Sequence, residues 1–346
     1  MRKVLILADF FPVDYIKNDP ELQEMLRETM PEDEFEISYY ADPLLNGVPE
    51  PMAVIGEWEK HGIGGVVRDQ DLLDKLADVE ILIVQWSPVT RQMMDAAPNL
   101  KFVGSMRSGT ENLDLEYAKE KGIIMRNCPG RLGDSVADLT LALILNANKA
   151  VIGLDLRLHN GEWLRETKRY EHRINRPMRL LTAGIVGFGA IGQKVARRLQ
   201  GFGTKVIAYD PFTPDEAFEK MGVQRVDLDT LMSTSDIITV HARYTEETKN
   251  IIGKHEMSLI KDEVMFINTA RAGLVDEEAF MEQLRAGKIV AAGFDVYWDE
   301  PFDPKSPLME YEDIAMLPHV GGVFPGVTQL SVSMLMDTLK KVYLNK

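Results

Sequence analysis

The sequence predicts an α/β chain built from two doubly wound domains, each with a parallel sheet covered by helices. Short apolar runs alternate with helical patterns through the whole length of 346 residues. A long helical stretch at 135–163 separates a first series of such runs from a second, and a glycine-rich turn follows the first strand of the second series. Strands that alternate with helices pair in parallel, with helices on both faces of the sheet.

The first series predicts five strands, at residues 4–8, 35–40, 81–86, 101–106 and 123–127. Helical patterns at 70–79 and 112–122 lie between them. Residues 42–64 are less regular and contain several Pro and Gly residues, so we expect an insertion or a long loop there.

The second series predicts strands at 180–189, 205–210, 236–242, 264–270 and 289–297. The first half of the helical stretch 135–163 is apolar nearly all round, which predicts deep burial. A polar arm at 166–177 ends at Pro177, and residues 325–345 are typical of a terminal helix.

Composition and charge exclude several classes of protein. The net charge of −15 repels nucleic acid phosphates and anionic lipid, so neither is an expected partner. Cys128 is the only cysteine, which suits a reducing compartment, and we expect a cytoplasmic protein. The N-terminal apolar run from Val4 to Ala8 is too short for a signal sequence, and no run approaches the ~18 apolar residues of a membrane span.

The strongest local signal is the loop Gly187–Phe188–Gly189–Ala190–Ile191–Gly192, which has the pattern G-x-G-x-x-G between a predicted strand and a predicted helix. The first glycine permits a tight turn, the second lets backbone approach a pyrophosphate, and the third lets helix and strand pack closely. Asp210 ends the next strand, where a carboxylate accepts hydrogen bonds from ribose hydroxyls and repels a 2′-phosphate. The pattern therefore predicts a Rossmann domain that binds NAD rather than NADP.

Polar residues follow three later strands of the second series. These are Arg271, then Asp295 with Glu300, then His319. Each alone has an ordinary structural explanation, but open α/β sheets build their sites at the carboxyl ends of strands. Together with the glycine loop, they indicate one catalytic site, and we expect no metal in it.

Five ordered segments resemble the D-isomer-specific 2-hydroxyacid dehydrogenase family: GFGAIG, YDPF, NTARAGLVDEEAF, GFDVYWDEP and LPHVGG. The resemblance extends from RSGTENLD near position 110 to His319, and so covers most of the chain. It implies an oxidoreductase that transfers a hydride between NAD(H) and C2 of a D-2-hydroxy acid or 2-keto acid.

The resemblance also implies roles for the strand-end residues. His319 is similar to the family's general acid and base, and Glu300 to the carboxylate that favours its imidazolium form. Arg271 is similar to the anchor of the substrate carboxylate and carbonyl, since its planar fork offers two donors. Asp295 resembles the residue that orients the nicotinamide carboxamide.

The expected cofactor-binding residues are Gly187, Gly189, Ala190, Ile191, Gly192, Asp210, His241, Ala242, Arg243, Thr269, Ala270 and Asp295. The expected substrate-binding residues are Arg107, Ser108 and Gly109, whose loop backbone meets the substrate carboxylate in the family, with Arg271 and His319.

By the same resemblance, the Rossmann domain is inserted in a flavodoxin-like substrate domain. We expect the discontinuous substrate domain to comprise 1–110 and 320–346, and the NAD domain 111–319. The two would close by a hinge motion that excludes water. The helical stretch 135–163 corresponds to the family's dimerisation arm, which predicts a homodimer, although a simple core helix fits the pattern too.

Two departures from the family bear on the substrate. Arg243 stands where many members have proline, and it either contacts a phosphate or substrate or faces solvent. Gln85–Trp86–Ser87 offers none of the arginines that hold the phosphate in phosphoglycerate dehydrogenases, and Trp86 would narrow a pocket. A chain ending at Lys346 is also expected to lack their serine-sensing domain.

We therefore expect an unphosphorylated substrate: a sugar-derived acid, glycerate or hydroxypyruvate, or a small aliphatic acid. Glu300 argues against formate dehydrogenase, which has glutamine at the matching position. Phosphoglycerate dehydrogenase stays an alternative, as does an NAD(H)-sensing protein of the corepressor type on the same fold. Phosphite oxidation is a third, because it shares the Arg, Glu and His set.

Overall fold

A computed structural model describes residues 1–9, 13–49, 51–163 and 175–345. The chain divides into two compact units: Met1–Arg131 with Phe324–Lys346, and Leu132–Val323. The first unit is discontinuous, but its boundary lies at 131 rather than at the predicted 110. The reason is that a fifth strand, Ile124–Arg126, pairs in parallel with the fourth strand of the first sheet.

The sheet of the first unit has five parallel strands: β1 (Arg2–Ala8), β2 (Phe35–Ala41), β3 (Ile81–Val84), β4 (Phe102–Ser105) and β5 (Ile124–Arg126). Their order is β2-β1-β3-β4-β5, the flavodoxin-like order. Side chains of β1 alternate between two apolar clusters. Leu5 and Leu7 enter one, and Val4, Ile6 and Ala8 enter the other, so both faces of the sheet are covered.

The helices of the first unit are α1 (Val13–Asn18), α2 (Pro20–Thr29), α3 (Pro51–His61), α4 (Gln70–Leu76), α5 (Arg91–Ala96), α6 (Leu115–Glu120) and, from the end of the chain, α14 (Val327–Leu339). The expectation of a long loop over 42–64 was wrong in part, because α3 occupies half of it. Ile55 and Trp58 of α3 join Leu45 and Ile63 in a small apolar cluster of their own, which supplies the burial that the helix needs.

The C-terminal helix α14 completes the first unit, because it contacts α2 and β4. Leu335 is fully buried, and a Cβ added at Gly104 of β4 would lie 2.8 Å from its side chain. The helix therefore packs directly on the strand backbone, and the predicted terminal helix is confirmed in position and kind. A π-helical turn, Lys340–Leu344, follows it.

The sheet of the second unit has seven parallel strands: β6 (Thr182–Val186), β7 (Lys205–Tyr209), β8 (Gln224–Arg225), β9 (Ile237–Val240), β10 (Val264–Asn268), β11 (Ile289–Phe294) and β12 (Ile314–Met316). The order β12-β11-β10-β9-β6-β7-β8 contains the Rossmann order with one further strand at the β12 edge. The order reverses at β6, so a ligand crevice is expected beside the carboxyl end of β6.

The helices of the second unit are α7 (Gly133–Lys149), α8 (Val151–His159), α9 (Ala190–Gly201), α10 (Asp215–Met221), α11 (Leu228–Thr234), α12 (Lys254–Leu259) and α13 (Glu277–Arg285). Short 3₁₀ turns lie at Met178–Leu180, Ala272–Leu274 and Pro307–Glu310. The predicted polar arm at 166–177 falls mostly outside the described residues.

The predicted helical stretch 135–163 is two helices, because Ala150 adopts a left-handed conformation with φ 54° and ends α7. The side of α7 that includes Ala137, Leu141 and Ile144 is buried in one core of the second unit, as its apolar composition predicted. No single described helix has the length and composition of a membrane span. Only α7 and α8 taken together do, and they are bent by 64° at Ala150.

Candidate active site

The glycine loop has a backbone geometry that only glycine allows at two positions. Gly187 has φ 95°, and a Cβ added there would lie 2.3 Å from the Ala242 nitrogen. A Cβ at Gly192 would lie 2.1 Å from the Gly187 carbonyl oxygen. Side chains at either position would push apart β6, α9 and the segment after β9.

The middle glycine faces open space. No heavy atom of the described residues lies within 4 Å of a Cβ built at Gly189, the residue immediately before α9. No side chain caps this helix start, so its N–H groups are available to an anion. Free N–H groups at the positive end of a helix dipole match a pyrophosphate.

Asp210 lies at the end of β7 and is 9% exposed. One carboxylate oxygen accepts a hydrogen bond from the Phe188 N–H at 2.8 Å. The other accepts from the N–H groups of Phe212 and Thr213 at 2.8 and 3.0 Å. The carboxylate therefore ties the glycine loop to the turn after β7, and its spare lone pairs are left for a ribose.

A cavity of about 570 Å³ opens beside Asp210, and its lining includes Pro211, Val226 and Thr230. Arg225 of β8 lines it too, and sequence analysis did not select this residue. Its guanidinium donates to the Asp210 carbonyl oxygen at 2.8 Å and pairs with Asp215 at 2.5 Å. Only the pairing of the two-residue strand β8 with β7 brings it here, and so short a strand leaves no periodic signal.

The segment after β9 carries His241, Ala242 and Arg243. Burial lowers the pKa of His241 to about 3, so its imidazole is neutral at ordinary pH. Its Nε2 lies 2.8 Å from the Thr239 hydroxyl, and its buried Nδ1 has no partner among the described residues. Ala242 borders the Gly187 turn, and the Arg243 side chain is exposed.

The turn after β10 is shaped by Asn268, a buried residue that sequence analysis did not select. Its side-chain oxygen accepts from the Ala270 N–H at 3.0 Å, and its amide donates to the Arg271 carbonyl oxygen at 3.1 Å. Thr269 is buried and shares a 2.9 Å hydrogen bond with Thr140 of α7. Arg271 emerges from this turn with its guanidinium exposed.

His319 and Glu300 form a hydrogen-bonded pair. His319 Nδ1 lies 2.8 Å from Glu300 Oε2, and the other Glu300 oxygen accepts from the Tyr297 N–H at 3.0 Å. Glu300 follows β11 and His319 follows β12, its neighbour in the sheet. The predicted pairing of these two residues is therefore present in the geometry.

The environment keeps Glu300 ionised. Burial by itself raises the pKa of its carboxyl, but hydrogen bonds from His319 and the Tyr297 N–H, with the charges of His319 and Arg271, bring that pKa below its usual value. An ionised Glu300 accepts the Nδ1 proton of His319, which directs Nε2 away from Glu300. The charge of Arg271 thus acts on the Glu300 carboxylate.

Asp295 holds the backbone on which His319 lies. Its carboxylate is almost fully buried and accepts from the N–H groups of Val320 and Gly321 at 2.8 and 2.7 Å. Burial raises the pKa of Asp295, and these two donors offset part of that rise. His319 itself has φ 55°, a left-handed conformation that costs a non-glycine residue on the order of 1–3 kcal/mol.

The predicted substrate loop, Arg107 to Gly109, lies in the first unit after β4. The N–H groups of Ser108 and Gly109 have no acceptor among the described residues. The loop is fixed from behind, because Cys128 N–H donates to the Arg107 carbonyl oxygen at 2.8 Å and the Ser108 hydroxyl donates to the Cys128 carbonyl oxygen at 3.0 Å. Two free N–H groups on a fixed loop suit a carboxylate.

Trp86 packs against this loop. The Arg107 guanidinium lies 4.0 Å from the centre of the Trp86 ring, at cation–π distance. Arg107 is buried and lies 3.5 Å from the Glu111 carboxylate. Trp86 is thus a platform for a charged residue of the loop.

Known proteins are similar to this chain in sequence and in fold. Residues 141–321 match the sequence profile described as the D-isomer specific 2-hydroxyacid dehydrogenase NAD binding domain. A hydroxypyruvate reductase of Thermotoga maritima is 37% identical over 258 residues, which are 74% of this chain and 82% of that protein. The chain belongs to the D-isomer-specific 2-hydroxyacid dehydrogenase family.

Another member of the family is a D-3-phosphoglycerate dehydrogenase of Methanocaldococcus jannaschii, 36% identical over 304 residues. These residues are 87% of this chain, which spans only 56% of that relative. A crystal structure of D-lactate dehydrogenase from Aquifex aeolicus, complexed with NAD and lactic acid, is 25% identical with a TM-score of 0.70. The match covers 99% of this chain and 96% of that one.

Family membership makes the second unit the NAD-binding domain, and its residues fit the cofactor. Gly187 and Gly192 leave no room for side chains, whereas the space at Gly189 is open, as a pyrophosphate requires. The fold class predicted from the sequence is confirmed for both units.

We expect Gly192→Ala to weaken NADH binding strongly, because its methyl group would lie 2.1 Å from the Gly187 carbonyl and force the loop apart. The measurement is titration of NADH fluorescence. Gly201→Ala is the matched control, since Gly201 lies in the same helix and a methyl group there would have no described heavy atom within 4 Å. Equal affinity in the two variants, with circular dichroism unchanged, would contradict the role of the loop.

Proposed function

We propose that this protein is an NAD-dependent D-2-hydroxyacid dehydrogenase, which reduces a 2-keto acid at C2 and catalyses the reverse oxidation. The observation that carries the proposal is the 2.8 Å His319–Glu300 pair at neighbouring strand ends, in a domain whose glycine loop fits the cofactor. NADH, when bound, supplies the hydride. The protein's own residues bind the acid and move the proton.

His319 is the proton donor in reduction. Its Nδ1 proton is held by the ionised Glu300, so its Nε2 proton is the one available to the carbonyl oxygen of the substrate. Glu300 stabilises the imidazolium that delivers this proton. In oxidation the neutral imidazole accepts the hydroxyl proton at Nε2.

Arg271 and the 107–109 loop bind the acid. The exposed Arg271 fork offers paired donors to the substrate carboxylate and polarises the C2 carbonyl toward the hydride. In the first unit, the N–H groups of Ser108 and Gly109, which have no acceptor among the described residues, are further donors that suit a carboxylate. Asp295, whose oxygens already hold residues 320 and 321, would orient the carboxamide of the nicotinamide.

Asp210 supports a preference for NAD over NADP. Its carboxylate borders the cavity beside β7 and would repel a 2′-phosphate. We assign the remaining predicted cofactor contacts to the segments 241–243 and 269–270, where Arg243 is an exposed cation without a described side-chain partner. The substrate we propose is unphosphorylated, because Gln85–Trp86–Ser87 supplies no arginine beside the loop.

The proposal is tested by a panel of 2-keto acids, with NADH absorbance as the readout. His319→Ala should lower turnover by about 10²–10⁴-fold, the usual contribution of a general acid. His255→Ala is the matched control, because His255 also pairs with a carboxylate, Asp229 at 3.2 Å, but lies on α12. We expect the control to keep its rate.

Two results would contradict the proposal. The first is a His319→Ala variant that retains the unaltered rate. The second is binding of NADH without reduction of any acid in the panel, which would favour the NAD(H)-sensing protein of the corepressor type. If the protein oxidised phosphite and reduced no keto acid, Arg271, Glu300 and His319 would serve phosphite oxidation instead.

Glu300→Gln should change the pH dependence of reduction. Reduction uses the proton on His319 Nε2, and the Glu300 carboxylate holds the proton on Nδ1. Because the pKa of Glu300 is below its usual value, this support is lost only in acid, as the pH falls through that lowered pKa. The kcat of the unaltered protein should therefore decline at a pH below the usual pKa of a glutamate, and Glu300→Gln, which has no titrating carboxyl at 300, should lack this decline and have a lower kcat at neutral pH.

The measurement is kcat across the pH range for the unaltered protein and for Glu300→Gln. Asp229→Asn, which removes the carboxylate of the other histidine pair, is the control and should leave the profile in place. An acid decline in Glu300→Gln at the same pH as in the unaltered protein, with the same kcat at neutral pH, would remove Glu300 from the mechanism.

We also propose that the enzyme is a cytoplasmic homodimer. The support is an apolar row on α8, where Val151, Ile152, Leu156 and Leu158 are 58%, 47%, 59% and 54% exposed. So many adjacent exposed apolar residues are typical of an interface. Sedimentation should give the mass of two chains, and Leu156→Asp should give one.

Val67→Asp, at an apolar residue of the first unit that is 77% exposed, is the matched control and should leave the dimer intact. A single-chain mass for the unaltered protein would contradict the dimer.

A further inference from the structure

Arg131 is a buried cation without a carboxylate partner. The residue is 8% exposed, and no acidic group of the described residues lies within salt-bridge distance of its guanidinium. The only described hydrogen bond of its side chain runs from Nη1 to the neutral hydroxyl of Ser331, at 2.9 Å. Its buried Nε has no acceptor among the described residues.

The same unit pairs another buried arginine in the ordinary way. Arg68 lies 2.7 Å from Asp42, and both side chains are fully buried. Removing a guanidinium from water without an opposite charge is costly, so a buried arginine normally keeps a carboxylate beside it. Arg131 departs from that rule among the described residues, which points to an anion from a bound ligand.

The surroundings of Arg131 increase the cost of its charge. Burial lowers the pKa of Arg131, Cys128 offsets part of that fall, and the nearby charge of Arg107 lowers the pKa further. The Ser331 hydroxyl accepts from Arg131 and donates to the Val327 carbonyl oxygen at 2.6 Å, so it supplies a hydrogen bond but no negative charge. Two cations thus interact on this side of the first unit, and Arg131 has no counterion among the described residues.

Arg131 is fixed relative to the proposed substrate loop. Asn127 donates to the Ser108 carbonyl oxygen at 2.5 Å, and the Cys128 backbone bonds to Arg107 and Ser108 at the carboxyl end of the neighbouring strand β4. Arg131 follows three residues after Cys128. The segment that carries Arg131 is therefore anchored to the proposed substrate loop, and the charge of Arg107 in that loop acts on the Arg131 guanidinium.

We propose that Arg131 is a specificity residue, which binds a second carboxylate at the far end of the substrate. The inference rests on the proposed dehydrogenase function and narrows its substrate to a dicarboxylic 2-keto or 2-hydroxy acid. A carboxylate fits better than a phosphate, since one guanidinium offers one charge and a planar pair of donors to two oxygens. A phosphate dianion carries two negative charges, and the single guanidinium of Arg131 would neutralise only one of them.

The test compares acids of equal length on the full-length protein with NADH. 2-Oxoglutarate and 2-oxopentanoate have five carbons each and differ in the terminal carboxylate. We expect kcat/KM to favour the diacid by about 10- to 100-fold, the range of a charge-assisted hydrogen bond, mainly through KM. Arg131→Gln should remove this preference and leave the monoacid within about 2-fold.

Arg126→Gln is the matched control, because Arg126 is an exposed arginine of the same segment and bonds to a backbone oxygen. It should keep the preference for the diacid. Arg131→Lys retains the positive charge but not the planar pair of donors, so it should keep part of the preference for the diacid. This variant replaces Arg131→Gln in the comparison if the glutamine variant fails to fold.

Stability separates a binding role from a structural one. Removal of a buried charge that has no partner should leave the thermal unfolding midpoint of Arg131→Gln unchanged or raise it. A lowered midpoint, with both acids affected alike, would overturn the proposal. So would equal kcat/KM for the two acids in the unaltered protein.

Two further arms decide between sources of the anion. A preference for 3-phosphohydroxypyruvate over hydroxypyruvate that Arg131→Gln abolishes, with no preference for the diacid, would overturn the carboxylate assignment. If no acid is reduced, the proposed function fails by itself. Calorimetric titration with 2-oxoglutarate then still decides the site, because binding lost in Arg131→Gln supports it and equal binding contradicts it.

Discussion

Two backbone hydrogen bonds to the buried Asp295 fix the position of His319, on which the proposed proton transfer depends. The N–H groups of Val320 and Gly321 donate to its carboxylate and fix the turn in which His319 takes a left-handed conformation. That conformation is costly without support, and a free turn would relax from it. Because His319 is held, its Nδ1 meets Glu300, and the ionised Glu300 in turn sets which imidazole nitrogen is available to a ligand.

The parallel sheet is what makes such an arrangement possible. β10, β11 and β12 are neighbours, so residues that follow them emerge at one edge even though they are far apart in the chain. The same edge carries the glycine loop, after β6, and Asp210, after β7. Because all strands of the sheet are parallel, the proposed proton donor and the glycine loop lie at the same carboxyl edge of the second unit.

The features that a short local pattern encodes could be predicted from the sequence. Gly187, Gly189 and Gly192 could be assigned because each has a different steric task within six residues. Arg225 and Asn268 were missed for the opposite reason. Arg225 reaches Asp210 only through a two-residue strand, and Asn268 is a buried polar residue whose partners are backbone atoms.

The first unit shows the same limit. The boundary expected at 110 was wrong because β5 contributes only three residues to the sheet, and its pairing partner decides the unit to which it belongs. The segment 42–64 was expected to be irregular, yet α3 forms there around its own small apolar cluster. Arg131 is similar, since its contact with Ser331 of α14 and the lack of a carboxylate beside it among the described residues arise only in the folded unit.

The three backbone donors on Asp210 have a consequence for redesign of this protein. The side chain holds the glycine loop in place and is also the proposed neighbour of the ribose, so the cofactor preference and the loop shape would depend on the same two oxygens. Replacing Asp210 by a small neutral residue, to make room for the 2′-phosphate of NADP, would also remove the three hydrogen bonds that tie the glycine loop to the turn after β7. Binding of either cofactor would then be weakened. To change the cofactor preference, substitutions would therefore have to be made near Arg225, on the other side of the cavity. Residue 210 would have to keep a side chain that accepts the same backbone hydrogen bonds.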